Sequence, residues 1–483
     1  MENFGCRASQ ADGDAIAAGL DQLGLVPASS LPQAEVVIVN TCTVTAEADR
    51  DARAYIRRVQ RANASARIVV TGCYAQRAPQ EIAGLPGVSA VIGNSHKHQV
   101  APIAAHNLST AGNFVPLTAV EPLLPRTLAA GSTHLHPVVF AHSDFADLAH
   151  PASSSDASPW LTALLGHQAG RTRPNLKIQD GCGNRCTFCV IPTTRGNSRS
   201  LPRPAILHAV QQFASDGGKE LVLSGINLGR WGRDLPTPDR FTDLVAAILQ
   251  STPLPRLRIS SVEPMDWSED LIALLAQYGH GPHPRLARHA HLPLQSGSDA
   301  VLRRMHRRYR PWHYAAKLAA LHAAQPQAAI GADVMVGFPG ESDAEFQESY
   351  DFIAAQPLTY LHLFPFSARP GTPAWNLHRD HPVPALAVQE RMAALRALIE
   401  QKNLHFRSKF IGKPMSAVTL IPTKEISDRQ CVNGLTDNFI SIEIASNLQP
   451  NTLVRVQVTG LTAHGLSGNR LSDKIADEMR SIA

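Results

Sequence analysis

Three cysteines stand together in Cys182-Gly183-Asn184-Arg185-Cys186-Thr187-Phe188-Cys189, a C-x3-C-x2-C run just past the strand-like Leu176–Gln179. Three thiolates on one loop can each ligate one iron of a [4Fe–4S] cube, which ordinarily takes four cysteines. No fourth cysteine lies nearby, so one iron would stay open to another ligand. A zinc knuckle is the competing reading, but zinc sites favour C-x2-C pairs with a second pair at a distance.

Three further cysteines, Cys6, Cys42 and Cys73, are dispersed. Spacing alone makes each an ordinary buried thiol. Placement says more. Cys42 follows the apolar, β-branched run Ala34–Asn40, and Cys73 follows Arg67–Thr71. Both runs have the character of buried parallel strands, whose carboxyl ends gather ligands in open α/β sheets. Cys6 precedes a helical stretch at about 12–23, with little room ahead of it for a first strand. The seventh cysteine, Cys431, lies in a β-rich region and reads as structural or incidental. Seven cysteines in 483 residues are too sparse for a disulfide scaffold.

The elements that must position these residues fall into blocks. Residues 1–105 alternate strands and helices, with a helix at about 46–62, and predict an open parallel α/β domain. Residues 106–170 mix Pro, Ser, Ala and His without a period and read as a linker or insertion. Residues 171–402 return to alternation. Strands are expected at Leu176–Gln179, Glu220–Ser224, Arg256–Ser260, Ala290–Leu294, Ala332–Gly337 and Tyr360–Pro365. Helices are expected at Pro204–Asp216, Arg240–Leu249, Pro311–Ala324 and Asp343–Ala355. Six strands with helical crossovers predict a partial (β/α)6 barrel. Residues 403–471 switch to short strands and turns and predict a small β-barrel.

Net charge is +5 and the sequence pI about 8.9, a mild basic balance that suits a nucleic-acid partner only if motifs agree. No apolar run is long enough for a membrane helix, and the N-terminus lacks a signal-peptide pattern. A cytoplasmic protein with no membrane partner is expected.

The cysteine run followed by α/β repeats resembles the radical S-adenosylmethionine (SAM) superfamily. Membership implies that the open iron is chelated by SAM, whose reductive cleavage releases a 5′-deoxyadenosyl radical. Further segments match that family in order and at strand ends. Phe188 precedes the third cysteine. Ser224-Gly225-Ile226-Asn227 resembles the segment that meets the SAM amino group. Ser260-Ser261-Val262-Glu263 ends another strand, and Val336-Gly337-Phe338-Pro339-Gly340-Glu341 resembles the turn that lets backbone approach the cofactor. The resemblance makes Phe188, Ser224, Gly225, Glu263, Gly337 and Gly340 candidate cofactor contacts, although each segment alone could be an ordinary turn.

Gly5-Cys6-Arg7-Ala8-Ser9-Gln10, Asn40-Thr41-Cys42-Thr43-Val44 and Thr71-Gly72-Cys73-Tyr74-Ala75-Gln76 are similar to the three cysteine loops of the methylthiotransferases. That resemblance covers nearly the whole chain. It implies two [4Fe–4S] clusters, held by Cys182, Cys186 and Cys189 and by Cys6, Cys42 and Cys73, with the second carrying sulfur. It also implies a C-terminal domain of the TRAM type, a tRNA substrate and a reducing electron-transfer protein such as a flavodoxin or ferredoxin. Gly-Ile-Asn-Leu-Gly at 225–229 and Ser260-Ser261-Val262-Glu263-Pro264 look most like the branch acting on N6-threonylcarbamoyladenosine beside the anticodon. Branches acting on isopentenyladenosine tRNA or a ribosomal-protein aspartate are the alternatives, as is a non-catalytic iron–sulfur RNA-binding protein.

Three features bear on substrate. Residues 405–470 hold seven Lys/Arg against four Asp/Glu, suited to a phosphate backbone. Phe439 there could stack on a base, but an aromatic in a small barrel is more often core. Arg303, Arg304, Arg307, Arg308 and Arg310 are either a solvated helix end or contacts for substrate phosphates. The insert Gly279–Arg285, with Arg288, His289 and His291 after it, has histidines and a basic flank that suggest either a metal or phosphate site or, the preferred reading, a solvated loop; it is assigned no function.

Overall fold

Val36–Thr41 (β2) and Arg67–Gly72 (β3) are almost entirely apolar along their lengths because both faces of their sheet are covered. The computed structural model describes residues 1–106, 138–140, 172–421 and 431–471. It divides into two units, the first built from the N-terminal residues with 190–197 and the second from the remainder. In the first, Glu2–Asn3 (β1), β2, β3, Val88–Gly93 (β4) and Val138–Phe140 (β5) form one sheet in that order. Every pairing is parallel. The first strand is thus present but only two residues long. Arg7–Gln22 (α1) begins directly after Cys6, a turn earlier than the sequence suggested. Ala46–Ala62 (α2) starts where the Thr45 hydroxyl accepts the Ala48 N–H, a cap that contributes about 1 kcal/mol. Its Ile56 and Val59 pack on Val37, Val39, Ile68 and Val70, each burial contributing ~1.5–3 kcal/mol. The linker expected at 106–170 lies outside the described residues, except for His106, which ends the helix Val100–His106, and β5.

The second unit carries the six expected parallel strands. Asn175–Asp180 (β6), Glu220–Gly225 (β8) and Arg256–Ile259 (β9) form a sheet with the short antiparallel edge strand Arg199–Ser200 (β7). His289–His291 (β10), Ala329–Val336 (β11) and Tyr360–Pro365 (β12) form a second sheet. Bridges Leu257↔Leu286 and Ser261↔His291 carry the curve from one to the other, giving the partial barrel. The crossover helices include Arg203–Ser215, Phe241–Ser251, Pro311–Ala324 and Asp343–Ala355. The last is fixed by reciprocal bonds between Ser342 and Glu345.

The chain then runs through one helix, Ala385–Ser408, so the 402/403 boundary falls inside a helix. Pro414–Thr419 (β13), Cys431–Thr436 (β14), Ser441–Ala445 (β15), Leu453–Leu461 (β16) and Leu466–Arg470 (β17) close into a barrel. Its β14–β15 turn reaches the amino-terminal ends of the β8–β12 strands. Arg258 donates to the Thr436 carbonyl at 3.1 Å, and Arg288 pairs with Asp437. Phe439, at φ 65°, packs against His289 and Tyr360 with ring centroids 4.6 and 5.5 Å apart. The core reading of Phe439 holds. Beneath it, Glu220 is fully buried and meets Arg173 (2.8 Å), Arg258 (2.7 Å) and Arg256 (3.4 Å). No helix among the described residues is long and apolar enough to cross a membrane.

Candidate active site

The loop after β6 presents Cys182, Cys186 and Cys189 at the carboxyl end of the barrel strands. Cys182 is buried and the other two are half-buried. Burial pushes the Cys182 thiol up, opposed by donation from the Asn184 N–H (3.4 Å) and the Asn227 amide (3.5 Å). The loop is gripped by the end of helix Asp299–Arg304. The Thr187 N–H and hydroxyl donate to the carbonyls of Met305 and Arg304 at 3.1 and 2.9 Å. His306, at φ 57°, meets the Arg185 carbonyl at 3.0 Å. The Arg307 guanidinium donates to Cys186 Sγ (3.2 Å), Glu263 (2.5 Å) and the Tyr309 hydroxyl (3.2 Å).

The other sequence candidates gather at neighbouring strand ends. Ser224 is almost completely buried, and its hydroxyl has no hydrogen-bond partner; nor does Asn227 Oδ1. The site of Gly225 is packed on Gln179, whose Oε1 accepts the Asn227 N–H at 2.7 Å. Phe188 meets Phe338 edge to face at 6.5 Å. Gly337 and Gly340 both have positive φ, 76° and 72°, which side chains disfavour. The Gly337 N–H is already taken by Glu341 at 2.8 Å, which Arg391 braces at 2.8 Å. A cavity of about 380 Å³ opens between Cys186, Glu263, Arg307 and the exposed Arg308.

In the first unit, Cys6, Cys42 and Cys73 also stand at strand ends. Cys6 caps α1, Cys42 follows β2, and Cys73 opens the short helix Cys73–Arg77 after β3. Gly5, at φ 107°, brings the Cys6 loop over Cys42; a side chain there would sit 2.8 Å from Cys42 Cβ. Burial, with Cys73 next and Cys6 adding, pushes the Cys42 thiol up to about 12. The Asn94 amide donates to Cys73 Sγ at 3.4 Å, and the Val44 N–H to Cys42 Sγ at 3.5 Å. Buried Asp12 holds Lys97 (2.5 Å) and Arg195 (2.9 Å), the latter a cation that favours the Cys42 thiolate.

The family model described as "Uncharacterized protein family UPF0004" matches residues 1–93, and that of the radical SAM superfamily matches 176–353. The Bacillus subtilis (strain 168) "Threonylcarbamoyladenosine tRNA methylthiotransferase MtaB" is 32% identical over 92% of this chain and 89% of its own. A protein of the same name from Aquifex aeolicus (strain VF5) is 32% identical over 95% of this chain and 99% of its own. The chain belongs to the radical SAM methylthiotransferase family. The Acidothermus cellulolyticus relative, "tRNA-2-methylthio-N(6)-dimethylallyladenosine synthase", is 30% identical over 98% of this chain and 87% of its own.

Radical SAM membership implies a [4Fe–4S] cluster and SAM, and the central loop fits both. Its three thiols stand at the strand ends on one short loop, Cys182 buried and the other two half-buried. A [4Fe–4S] cluster takes each such thiolate on its own iron. The Ser224 hydroxyl and the Asn227 Oδ1, the latter on a side chain that touches Cys182, are without hydrogen-bond partners, which fits a site that receives a ligand's N–H groups.

Sequence reasoning missed the grip of residues 304–307 on the cysteine loop. The arginine-rich stretch, left open between a solvated helix end and phosphate contacts, has Arg303 and Arg310 paired with Asp299 and Arg304 with Glu345. Alternating arginines with a buried tyrosine between them were the only available signal. The insert is likewise tied down: His283 bonds Ser416 at 2.7 Å, and Arg285 donates to the Leu249 and Thr252 carbonyls. His289 and His291 are buried strand residues, not part of a solvated loop.

Proposed function

We propose that this enzyme installs a methylthio group at C2 of N6-threonylcarbamoyladenosine, the adenosine beside the anticodon at position 37 of tRNA. The observation that carries the reading is near full-length similarity to relatives named for that reaction, in a chain that has both cysteine trios. Cys182, Cys186 and Cys189 would hold the SAM cluster. Ser224, Gly225, Glu263, Gly337, Gly340 and Phe188 would bind SAM. The bound cluster supplies the electron that cleaves SAM to methionine and a 5′-deoxyadenosyl radical, which an unreactive adenine C–H bond requires. Cys6, Cys42 and Cys73 would hold a second [4Fe–4S] cluster whose open iron carries the sulfur. Arg195 and Asn94 orient and stabilise its thiolates, in the way charge and hydrogen bonds tune such ligands. A low-potential flavodoxin or ferredoxin would deliver the electron. The C-terminal barrel would hold the tRNA through exposed Lys409, Lys413 and Arg470, since Arg407 is buried against the Thr462 and Gly465 carbonyls.

The two trios are separated by variants. Cys186→Ala is expected to abolish 5′-deoxyadenosine formation by the reduced, reconstituted enzyme. Cys42→Ala is expected to leave it and abolish methylthiolation of tRNA. Undiminished SAM cleavage by Cys186→Ala would overturn the assignment of the central trio, and methylthiolation by Cys42→Ala that of the first.

A further inference from the structure

Within the barrel of the second unit, β10, β11 and β12 turn one set of alternate side chains toward the turn that carries Phe439: His289 and His291, Gly331 and Asp333, Tyr360 and His362. Strand pairing sets Asp333 directly beside His362 and His291 beside Gly331. Three ligand-type atoms meet there, all within 4.8 Å of one another: His291 Nε2, Asp333 Oδ1 and His362 Nδ1. The carboxylate oxygen lies 3.3 Å from the first nitrogen and 3.1 Å from the second. Two ligands each about 2.0–2.1 Å from one ion, at tetrahedral or octahedral angles, lie about 3–3.4 Å apart.

His291 supplies the observation that points to a ligand. It is more than nine-tenths buried, and its Nε2 lies 3.3 Å from the Asp333 carboxylate without meeting hydrogen-bond geometry. The same carboxylate oxygen also meets His362 Nδ1 at 3.1 Å, so two imidazole nitrogens converge on one oxygen, as they do around a shared cation. The surroundings fix the rings. Tyr360 stacks on His291 at 5.9 Å and bonds His289 at 2.7 Å. Gly331 makes this possible, since a Cβ there would stand 2.0 Å from the Tyr360 ring. His362 is 58% exposed, which leaves a path for an ion to enter.

We propose that His291, Asp333 and His362 form a divalent transition-metal site, distinct from both cysteine trios. Two imidazoles and one carboxylate suit Mn, Fe, Co or Zn. Three protein ligands leave positions for water or for an oxygen donor, such as a substrate carboxylate or carbonyl. The site does not rest on the tRNA reading, and its failure would leave that reading intact.

The test is titration of the reconstituted full-length enzyme with Mn(II) alone, followed by the electron paramagnetic resonance signal of free Mn(II). Manganese avoids thiolates, and oxidised [4Fe–4S] clusters are silent. One equivalent is expected to bind. Asp333→Asn, which keeps the shape, and His362→Ala, at an exposed position, are each expected to weaken binding at least about 100-fold. Iron content and melting temperature confirm that the variants fold. Cys42→Ser is expected to retain the full equivalent. No binding by the wild type, binding undiminished in both ligand variants, or loss of binding in Cys42→Ser would overturn the proposal.

Discussion

Glu220→Gln is the sharpest test of how the barrel is held. Glu220 has no exposed surface, and neither do Arg256 or Arg258. Its carboxylate accepts from Arg173, Arg256 and Arg258, and those arginines also reach the C-terminal barrel at Ser416 and the Thr436 carbonyl. The amide keeps the volume but removes the charge and turns two N–H groups toward guanidiniums. Removing one partner of a buried ionic group leaves uncompensated charge and costs about 3–5 kcal/mol. At roughly 2–4 °C per kcal/mol, the melting temperature of the second unit should fall by about 6–20 °C. Scanning calorimetry of the full chain reads this, with the two units as separate transitions if they uncouple. The pH dependence has a definite sign. Burial alone would raise the Glu220 pKa, but Arg258, Arg173 and Arg256 together outweigh it and hold the carboxyl far below the usual range. The stabilisation is therefore complete above the unfolded value of about 4.3 and is lost only as pH falls below it. The wild-type advantage should stay constant from about pH 8 to 5 and shrink in stronger acid. A difference under about 1 kcal/mol, or one that vanishes between pH 8 and 5, would refute the reasoning.

Arg307→Gln should lower the reduction potential of the SAM cluster, because a cation beside Cys186 favours the more negative reduced state. A loss of about 2 kcal/mol is roughly 90 mV, whereas Arg307→Lys should keep most of it; redox titration of a Cys42→Ala, Cys73→Ala parent isolates this cluster. In cluster-free protein at pH 8, a thiol with a pKa of about 12 is roughly 0.01% ionised, against about a quarter for an ordinary thiol. Even with the higher nucleophilicity of a more basic thiolate, Cys42 should be alkylated about 50-fold more slowly than an unfolded cysteine peptide; equal rates by mass spectrometry would contradict its environment.

The sequence made the strands and cysteine loops legible because both depend on local pattern. Buried parallel strands are continuous apolar runs, and the candidate cluster cysteines sit where those runs end. Less legible were features set by partners far along the chain. Arg304 reads as a surface charge until its carboxylate partner Glu345, forty-one residues on, is known. Glu220 and Arg256 look like strand-end charges, yet with Arg258 they are the buried floor of the barrel. The short β1 was hidden because two residues carry no periodicity. His291, Asp333 and His362 lie on three strands, so no sequence spacing joins them; only strand register does.

Nucleoside mass spectrometry of total tRNA, from cells with and without this gene, tests the central claim most directly. The account predicts loss of the 2-methylthio derivative and accumulation of N6-threonylcarbamoyladenosine when the gene is deleted. Unchanged threonylcarbamoyl nucleosides, with loss of 2-methylthio-isopentenyladenosine instead, would contradict it.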